Sequence, residues 1–268
     1  MLRPLLSRHL VFRSVDIMKT KRFKTSLTAV LLALGLSSAA PILSAEGGVA
    51  EAPQTAEPRE YALERHTLHM GTLINAKLFG ATPEAVKHYA IVFEDKVTDY
   101  DDLMSVHKDT PLNEVNRRAG EPVEVPCEIA DMTKQALAIA DETNGAFEPM
   151  IGPVVNLWKI GFGGEHVPSD EAIAEAVSKV DRSKVRVWRE GGRCMMQIAK
   201  GQSIDMGAIA KGFIGQRLSD ILKHEGMTRG VLNLGGNIVA VGEKSAGRPW
   251  RIGIQHPAES RGGYFAVA

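Results

Sequence analysis

Several features that would point to a particular chemistry are scarce in this chain of 268 residues. It contains only two cysteines, Cys127 and Cys194, and their separation matches neither a zinc motif nor a redox motif. Its 32 basic and 32 acidic residues balance, and no long basic block is present, so no strong field steers the chain toward nucleic acid. Small molecules and proteins are therefore the expected partners, and nucleic acid is not.

The short motifs of common hydrolases are also absent from the sequence. It has no G-x-S-x-G nucleophile elbow and no H-E-x-x-H metal motif, and its histidines are scattered without ligand spacing. A single cysteine nucleophile has no supporting pattern either. Hydrolase and zinc-enzyme interpretations are set aside on these grounds.

The two cysteines leave two interpretations open. In an oxidising compartment they could form a disulfide, but the sequence does not show that their Cα atoms come close enough for the bond. Two buried thiols are the simpler expectation for Cys127 and Cys194.

The first 45 residues have the organisation of an export signal. Basic residues precede an apolar run over residues 27–36, and small residues lead to Ala45. We predict a signal peptide over residues 1–45, removed before Glu46, with Met18 as an alternative start and a transit peptide as the rival for the first residues. The apolar run is short for a membrane span, so we expect soluble export without stable membrane insertion.

The rest of the chain predicts a flexible linker followed by one folded domain. Residues 46–60 are rich in Ala, Pro, Glu and Gly, which is typical of a linker, and the domain is expected over residues 61–268. Period-two alternation over residues 68–78 predicts one half-buried strand, and Thr82-Pro83 begins an amphipathic helix.

Further helices and strands alternate along the domain. The expected features are a helix over residues 129–143 with Gly145 as C-cap, an aperiodic loop over residues 145–164, a helix capped by Ser169, a hairpin around Glu190-Gly191-Gly192, a helix over residues 209–226, and strands over residues 231–234, 238–241 and 250–255. Strands and helices mixed with antiparallel hairpins predict an α+β fold, with antiparallel or mixed sheets packed against helices. Because residues 264–268 form an apolar run with no polar tail, we expect the C-terminal part of the domain to be missing.

Three segments are candidates for binding. In residues 203–212, Asp205 precedes a helix and Lys211 lies in its first turns, where free amides and the helix dipole favour phosphate. An N-capping aspartate with a solvated lysine is the simpler interpretation of this pair. Residues 233–237 (Asn-Leu-Gly-Gly-Asn) offer approachable amides but also fit a plain turn. Residues 145–149 fit a plain helix stop, but Glu148 on this Gly/Pro loop could also accept hydrogen bonds from a ligand.

Seven motifs become specific through their order. They are Met70-Gly71-Thr72; Met104-Ser105; Gly145-Ala146-Phe147-Glu148-Pro149; a Gly-Pro…Asn-Leu-Trp…Gly-Phe-Gly run over residues 152–163; Asp-x-Gly-Ala-Ile-Ala-Lys-Gly over residues 205–212; Asn-x-Gly-Gly-Asn over residues 233–237; and Pro-Trp-Arg-Ile-Gly-Ile-Gln-x-Pro over residues 249–257. In this order they resemble the ApbE family of FAD:protein FMN transferases. The resemblance covers about residues 65–257.

The resemblance implies an ApbE-like (T-fold-like) architecture and a Mg²⁺-dependent enzyme outside the cytoplasm. Such an enzyme splits FAD, attaches FMN to a Thr or Ser hydroxyl of an acceptor protein, and releases AMP. The implied acceptors are membrane-associated redox subunits that face the periplasm.

The resemblance also implies a set of site residues. Those expected to contact FAD are Met70, His107, Ala146, Phe147, Glu148, Asp205 and Lys211. The backbone carbonyl of Ala208 is expected to ligate Mg²⁺. His107 stands where the family often has Tyr, and Glu148 stands where Asp is usual.

Two family segments have no counterpart in the sequence. One is an Asp-x-x-Thr-type segment that carries the main magnesium ligands, and the other is a His-Ile-Ile-Asp-Pro-type strand. No catalytic base is therefore assigned. The alternatives to the enzyme are a non-catalytic FAD-binding or flavin-trafficking protein and a scaffold that binds no flavin.

Overall fold

Alternating burial marks the first two strands as part of a half-buried sheet. In a computed structural model, which describes residues 60–105, 108–159, 166–258 and 263–268, β1 (Tyr61–His69) pairs antiparallel with β2 (Thr72–Gly80). Met70 and Gly71 turn the chain between them at φ 52° and 67°. The prediction of a single strand over residues 68–78 is therefore wrong, because a two-residue turn leaves the period of two in the sequence unbroken.

The remaining elements alternate between helices and short strands. They are α1 (Pro83–Met104), α2 (Pro111–Arg117), β3 (Val123–Val125), α3 (Cys127–Glu142), α4 (Gly152–Leu157), α5 (Asp170–Ser178), β4 (Arg186–Glu190), β5 (Arg193–Gln197), α6 (Ala210–His224), β6 (Arg229–Leu234), β7 (Asn237–Val241), β8 (Gly253–Gln255) and β9 (Tyr264–Val267).

Three antiparallel sheets organise the described residues. Their strand orders are β1-β2-β6-β7, β3-β5-β4 and β8-β9. Helices α1 and α6 pack on the largest sheet and on each other. Gly215 lets α6 lie close to β7, since a Cβ at that position would be 2.8 Å from a methyl carbon of Val239. The α+β prediction is confirmed.

Helix α1 follows the sequence pattern closely. The Thr82 hydroxyl oxygen accepts a hydrogen bond from the Ala85 N–H at 3.1 Å, and Pro83 occupies the first turn, where its missing N–H costs nothing. The apolar face that the sequence predicts is buried. Its residues are Val86, Tyr89, Ala90, Phe93, Val97 and Tyr100.

The middle of the chain is more regular than the sequence suggests. Helix α3, the Ser169 cap of α5 and the β4–β5 hairpin are confirmed. The predicted loop over residues 145–164 instead contains a 3₁₀ turn (Pro149–Ile151) and α4, although residues 160–165 lie outside the described part. Helix α4 is too short for a helical period to show in the sequence.

The expectation of two free thiols is wrong. Cys127 and Cys194 form a disulfide, with their Cα atoms 5.3 Å apart. The bond joins the first turn of α3 to β5, which lie in contact. Their separation of 67 residues is closed by tertiary structure, which the spacing alone cannot reveal.

One core runs beneath the largest sheet and between the helices. Ile74 and Leu78 of β2, Phe93 of α1 and Leu218 of α6 are fully buried in it. Among the described residues, no helix combines the length and apolar character that crossing a bilayer requires.

Candidate functional site

A cleft of about 660 Å³ lies beside the first turns of α6. Gln135 and Ile139 of α3 form one wall, Lys211 and Arg217 of α6 another, and Asn237 of β7 the third. Lys211 beside the helix N-terminus favours an anionic ligand, whereas Arg217, two turns further along α6, pairs with Asp131 at 3.6 Å. In the described part of the chain, Lys211 has no ion-pair partner.

A smaller cavity adjoins this cleft and brings separate motifs together. Met70, Met104, Met206 and Lys211 line it, and Lys211 lines the cleft as well. The turn before β2, the end of α1 and the start of α6 therefore meet at one place. The structure thus brings two predicted FAD contacts, Met70 and Lys211, to the same cavity.

Asp205 does not cap α6, so the capping interpretation is wrong. Its Oδ1 accepts a hydrogen bond from the Gly207 N–H at 2.8 Å, which closes a local turn, and α6 begins five residues after Asp205. The residue before α6 is Ile209, whose side chain makes no cap hydrogen bond. The Ala210 N–H donates to the Met206 carbonyl at 2.8 Å, so among the described residues the first-turn amides left for a phosphate are those of Lys211 and Gly212.

Asn116 of α2 holds the segment before Asp205 in place. Its Nδ2 donates to the Ile204 carbonyl at 3.0 Å, and its Oδ1 accepts from the Ile204 N–H at 2.8 Å. One side chain thereby satisfies both backbone groups of Ile204. The sequence analysis missed Asn116, because nothing local links it to a residue 88 positions away.

The segment with Glu148 lies against the same loop but directs its carboxylate elsewhere. The Asp205 N–H donates to the Pro149 carbonyl at 2.8 Å. Glu148 accepts from the Met150 N–H at 3.0 Å and pairs with Arg182 at 3.0 Å, in a hollow apart from the cleft. Within the described residues, its carboxylate supports the loop.

The other predicted residues are spread around the site. Phe147 is half-buried against the core, while Ala146 is exposed. Ala208 is exposed and lines the cleft. His107 lies outside the described residues.

The two glycines of residues 233–237 form a turn, one of the two interpretations of that motif. Gly235 and Gly236 have φ of 64° and 99°, and the Gly235 N–H donates to the Leu73 carbonyl at 3.1 Å. The β6–β7 turn therefore lies beside the start of β2. Asn237, the first residue of β7, extends from this turn to the cleft.

Asp101 is a buried carboxylate next to the site that the sequence analysis missed. It accepts hydrogen bonds from the Met70 N–H, His69 and Lys108. Burial by itself raises the pKa of Asp101, but the hydrogen bonds from Lys108, His69 and Met70 together outweigh it and lower the pKa below its ordinary value. The carboxylate is therefore ionised at neutral pH.

The donor set for a cation is small in the described part of the chain. No group of three or more His, Cys, Asp or Glu side chains comes together there. The Ala208 carbonyl is exposed and accepts no hydrogen bond among the described residues, and the Asp205 carboxylate is half-buried close by in sequence. One or two such oxygens suit Mg²⁺ when substrate phosphates and water complete its coordination.

These features define an α+β protein whose cleft, with Lys211 and two free amides in the first turn of α6, suits a ligand that carries phosphate. A sequence model described as the ApbE family matches residues 70–268. The chain belongs to the ApbE family.

Known relatives agree with this assignment. The FAD:protein FMN transferase of Treponema pallidum is 33% identical, over 78% of this chain and 62% of that protein. The FAD:protein FMN transferase of Salmonella typhimurium is 29% identical, over 82% and 64%. The solved flavin transferase ApbE from Vibrio cholerae superimposes with a TM-score of 0.63 at 27% identity, over 74% of this chain and 64% of that one. The chain spans slightly less than two thirds of the length of these relatives.

Proposed function

We propose that this protein is an exported FAD:protein FMN transferase. It would move FMN from FAD to a Thr or Ser hydroxyl of an acceptor protein. The observation that carries the proposal is the meeting of Met70, Lys211 and the loop after Asp205 at the smaller cavity, which adjoins the cleft. The names of the relatives give the reaction class.

The reaction requires one phosphoester exchange. The acceptor hydroxyl oxygen bonds to the phosphorus of the FMN half, the diphosphate bond breaks, AMP leaves, and the hydroxyl proton passes to solvent or a base. Phosphoryl transfer depends on positioning and charge neutralisation more than on covalent help from the enzyme. In this proposal Lys211, together with the free amides of Lys211 and Gly212, would neutralise the diphosphate.

Mg²⁺ belongs to this proposal. Its charge would neutralise phosphate oxygens of FAD. The Ala208 carbonyl lines the cleft and would be one oxygen ligand, and the Asp205 carboxylate, three residues earlier, would have to turn from the Gly207 N–H to be another. The Asn116 clamp and the Pro149 hydrogen bond hold this loop before any ligand arrives.

The periplasm is the proposed location, and membrane-associated redox subunits are the proposed acceptors. The signal-like N-terminus supports export. The Cys127–Cys194 disulfide supports an oxidising compartment, where such bonds persist.

The test uses FAD, Mg²⁺ and an acceptor domain with a Thr flavinylation site, and follows both AMP release and flavin fluorescence that survives denaturing electrophoresis. We expect covalent flavin with the wild type, and a loss of about 100-fold in rate for Lys211→Met, because a positioned cation at a transferring phosphate contributes several kcal/mol. Lys223→Met is the matched control. Lys223 lies on the same helix and is half-exposed beside Asp220.

Two outcomes would contradict the proposal in different ways. FAD binding without transfer by the wild type would indicate a flavin-binding or flavin-trafficking protein. Absence of FAD binding would remove the flavin assignment and favour a scaffold. Equal losses for Lys211→Met and Lys223→Met would show that Lys211 has no special role.

A further inference from the structure

The Asp101 carboxylate is placed between α1 and the turn that precedes β2. Its side chain is 6% exposed. Oδ1 accepts from the Met70 N–H at 2.9 Å, while Oδ2 accepts from His69 Nδ1 at 3.1 Å and from Lys108 Nζ at 2.8 Å. Both oxygens are therefore occupied by donors, two of which come from the turn and its flanking strand.

The turn needs such support because of its residue type. Met70 has a φ of 52°, in the left-handed region that a residue with a Cβ enters at a cost. Asn and Gly are the residues usually found at this position of a two-residue hairpin turn. A charge-assisted hydrogen bond from the Met70 N–H to a buried carboxylate fixes the backbone in this conformation.

The same residue faces the proposed flavin site. Met70 lines the cavity that Met206 and Lys211 also line, and it lines the hollow on the Asp101 side as well. A change in the turn conformation would therefore move a wall of the cavity. Of these two spaces, Asp101 lines only the hollow on the far side of the turn and does not line the cavity.

We propose that Asp101 is a positioning residue for flavin binding, and that it acts through Met70. The carboxylate holds the Met70-Gly71 turn in its left-handed conformation and so fixes the Met70 wall of the cavity. This inference rests on the proposed function, since it assigns the cavity beside Met70 to flavin.

The chain offers a matched control in the next residue. Asp102 also pairs with Lys108, at 2.7 Å, but its side chain is 63% exposed and makes no hydrogen bond to the turn among the described residues. Asp101→Asn and Asp102→Asn remove the same charge at adjacent positions. Only the first changes the acceptor of the Met70 N–H.

The experiment measures the Kd for FAD by flavin fluorescence with the whole chain, and uses thermal melting to confirm that each variant folds. We expect Asp101→Asn to raise the Kd about tenfold, and Asp102→Asn to leave it within about twofold, as befits an exposed ion pair. Hydrogen exchange at the Met70 amide should quicken in Asp101→Asn and not in Asp102→Asn.

A double-mutant cycle separates positioning from general stability. In Met70→Gly, the turn enters the left-handed region without cost and the cavity wall is already lost. Asp101→Asn should then change the Kd little further, whereas a purely structural role predicts additive losses.

Additive losses, or a Kd for Asp101→Asn equal to that of the wild type, would overturn the inference. A wild type that binds no FAD would overturn the proposed function. If Asp101→Asn left hydrogen exchange at the Met70 amide unchanged, the proposed support of the turn by Asp101 would be excluded separately.

Discussion

The backbone N–H of Asp205 donates to the carbonyl oxygen of Pro149, with 2.8 Å between the two atoms. This bond joins two motifs that lie far apart in the sequence. On the same contact, Gly152 approaches Ser203 so closely that a Cβ at Gly152 would lie 2.5 Å from the Ser203 carbonyl oxygen. The loop that lines the cleft after Asp205 is thus packed against the segment that follows Glu148, and its conformation depends on that contact.

Substitution of Asn116 is expected to loosen that loop. Asn116→Ala leaves both backbone groups of Ile204 without their partner, and each unsatisfied buried group costs about 1–3 kcal/mol. Asn116→Asp keeps an acceptor for the Ile204 N–H but loses the donor to its carbonyl. Denaturant unfolding should therefore rank the wild type above Asn116→Asp, and Asn116→Asp above Asn116→Ala. If Asn116→Ala were as stable as the wild type, the two hydrogen bonds between Asn116 and Ile204 would be contradicted.

The β6–β7 turn provides a matched glycine pair. A Cβ at Gly235 would lie 2.4 Å from Thr72 Oγ1, whereas a Cβ at Gly236 meets nothing within 4 Å. Both positions have positive φ, so alanine costs about 1–2 kcal/mol at either one from backbone strain alone. Gly235→Ala should cost about 1–3 kcal/mol more, because of the clash.

The added cost should depend on Thr72. In a Thr72→Ala background Oγ1 and Cγ2 are absent and only the Cβ, 3.1 Å away, remains, so thermal melting should show most of the difference between the two glycine variants to be gone. A Gly235→Ala variant as stable as Gly236→Ala in the wild-type background would contradict the close approach.

Loss of the disulfide is expected to destabilise the fold strongly. A link across 67 residues stabilises by about 4 kcal/mol when chain entropy of the unfolded state is considered. The double variant Cys127→Ser, Cys194→Ser should melt at a lower temperature than the oxidised wild type. Reductant should lower the melting temperature of the wild type and leave the double variant unchanged; an equal response of both would show that the bond is not formed.

Acid should act on stability partly through Asp101. Its pKa is lowered in the folded protein, so its contribution is present above the pKa of the unfolded chain, about 4, and is lost as the pH falls through the folded value. Between pH 7 and pH 3, the wild type should lose more unfolding free energy than Asp101→Asn, which has no carboxyl to protonate. Parallel pH profiles for these two proteins would contradict the burial and pairing of this carboxylate.

Local patterns in the sequence were sufficient for α1, α3, α5 and α6, but not for the short helices α2 and α4. Thr82-Pro83 and the apolar spacing that follows predict α1 because capping and helical periodicity depend on neighbours within a few turns. Motif order was sufficient for the family, since the family match covers the residues that carry it. Assignments of single residues to FAD or Mg²⁺ stay predictions until ligand binding is measured.

Other features depend on contacts that no local pattern contains. The Met70-Gly71 turn is hidden because β1 and β2 together keep one alternation, and the carboxylate that supports it lies 31 residues further on. The sequence around Asp205 is typical of a helix cap. A loop separates Asp205 from α6, however, and its carboxylate accepts a hydrogen bond from the Gly207 N–H instead.

The sequence by itself determined the helical faces, the α+β class and membership of the ApbE family, because each depends on short-range periodicity or on the order of motifs. The tertiary structure decided the Cys127–Cys194 bond, the Asn116 clamp and the Asp101 contact with Met70. The members of each pair come together only when the sheet and helices pack. Burial of the core sets the distance between them, and no local sequence pattern encodes it.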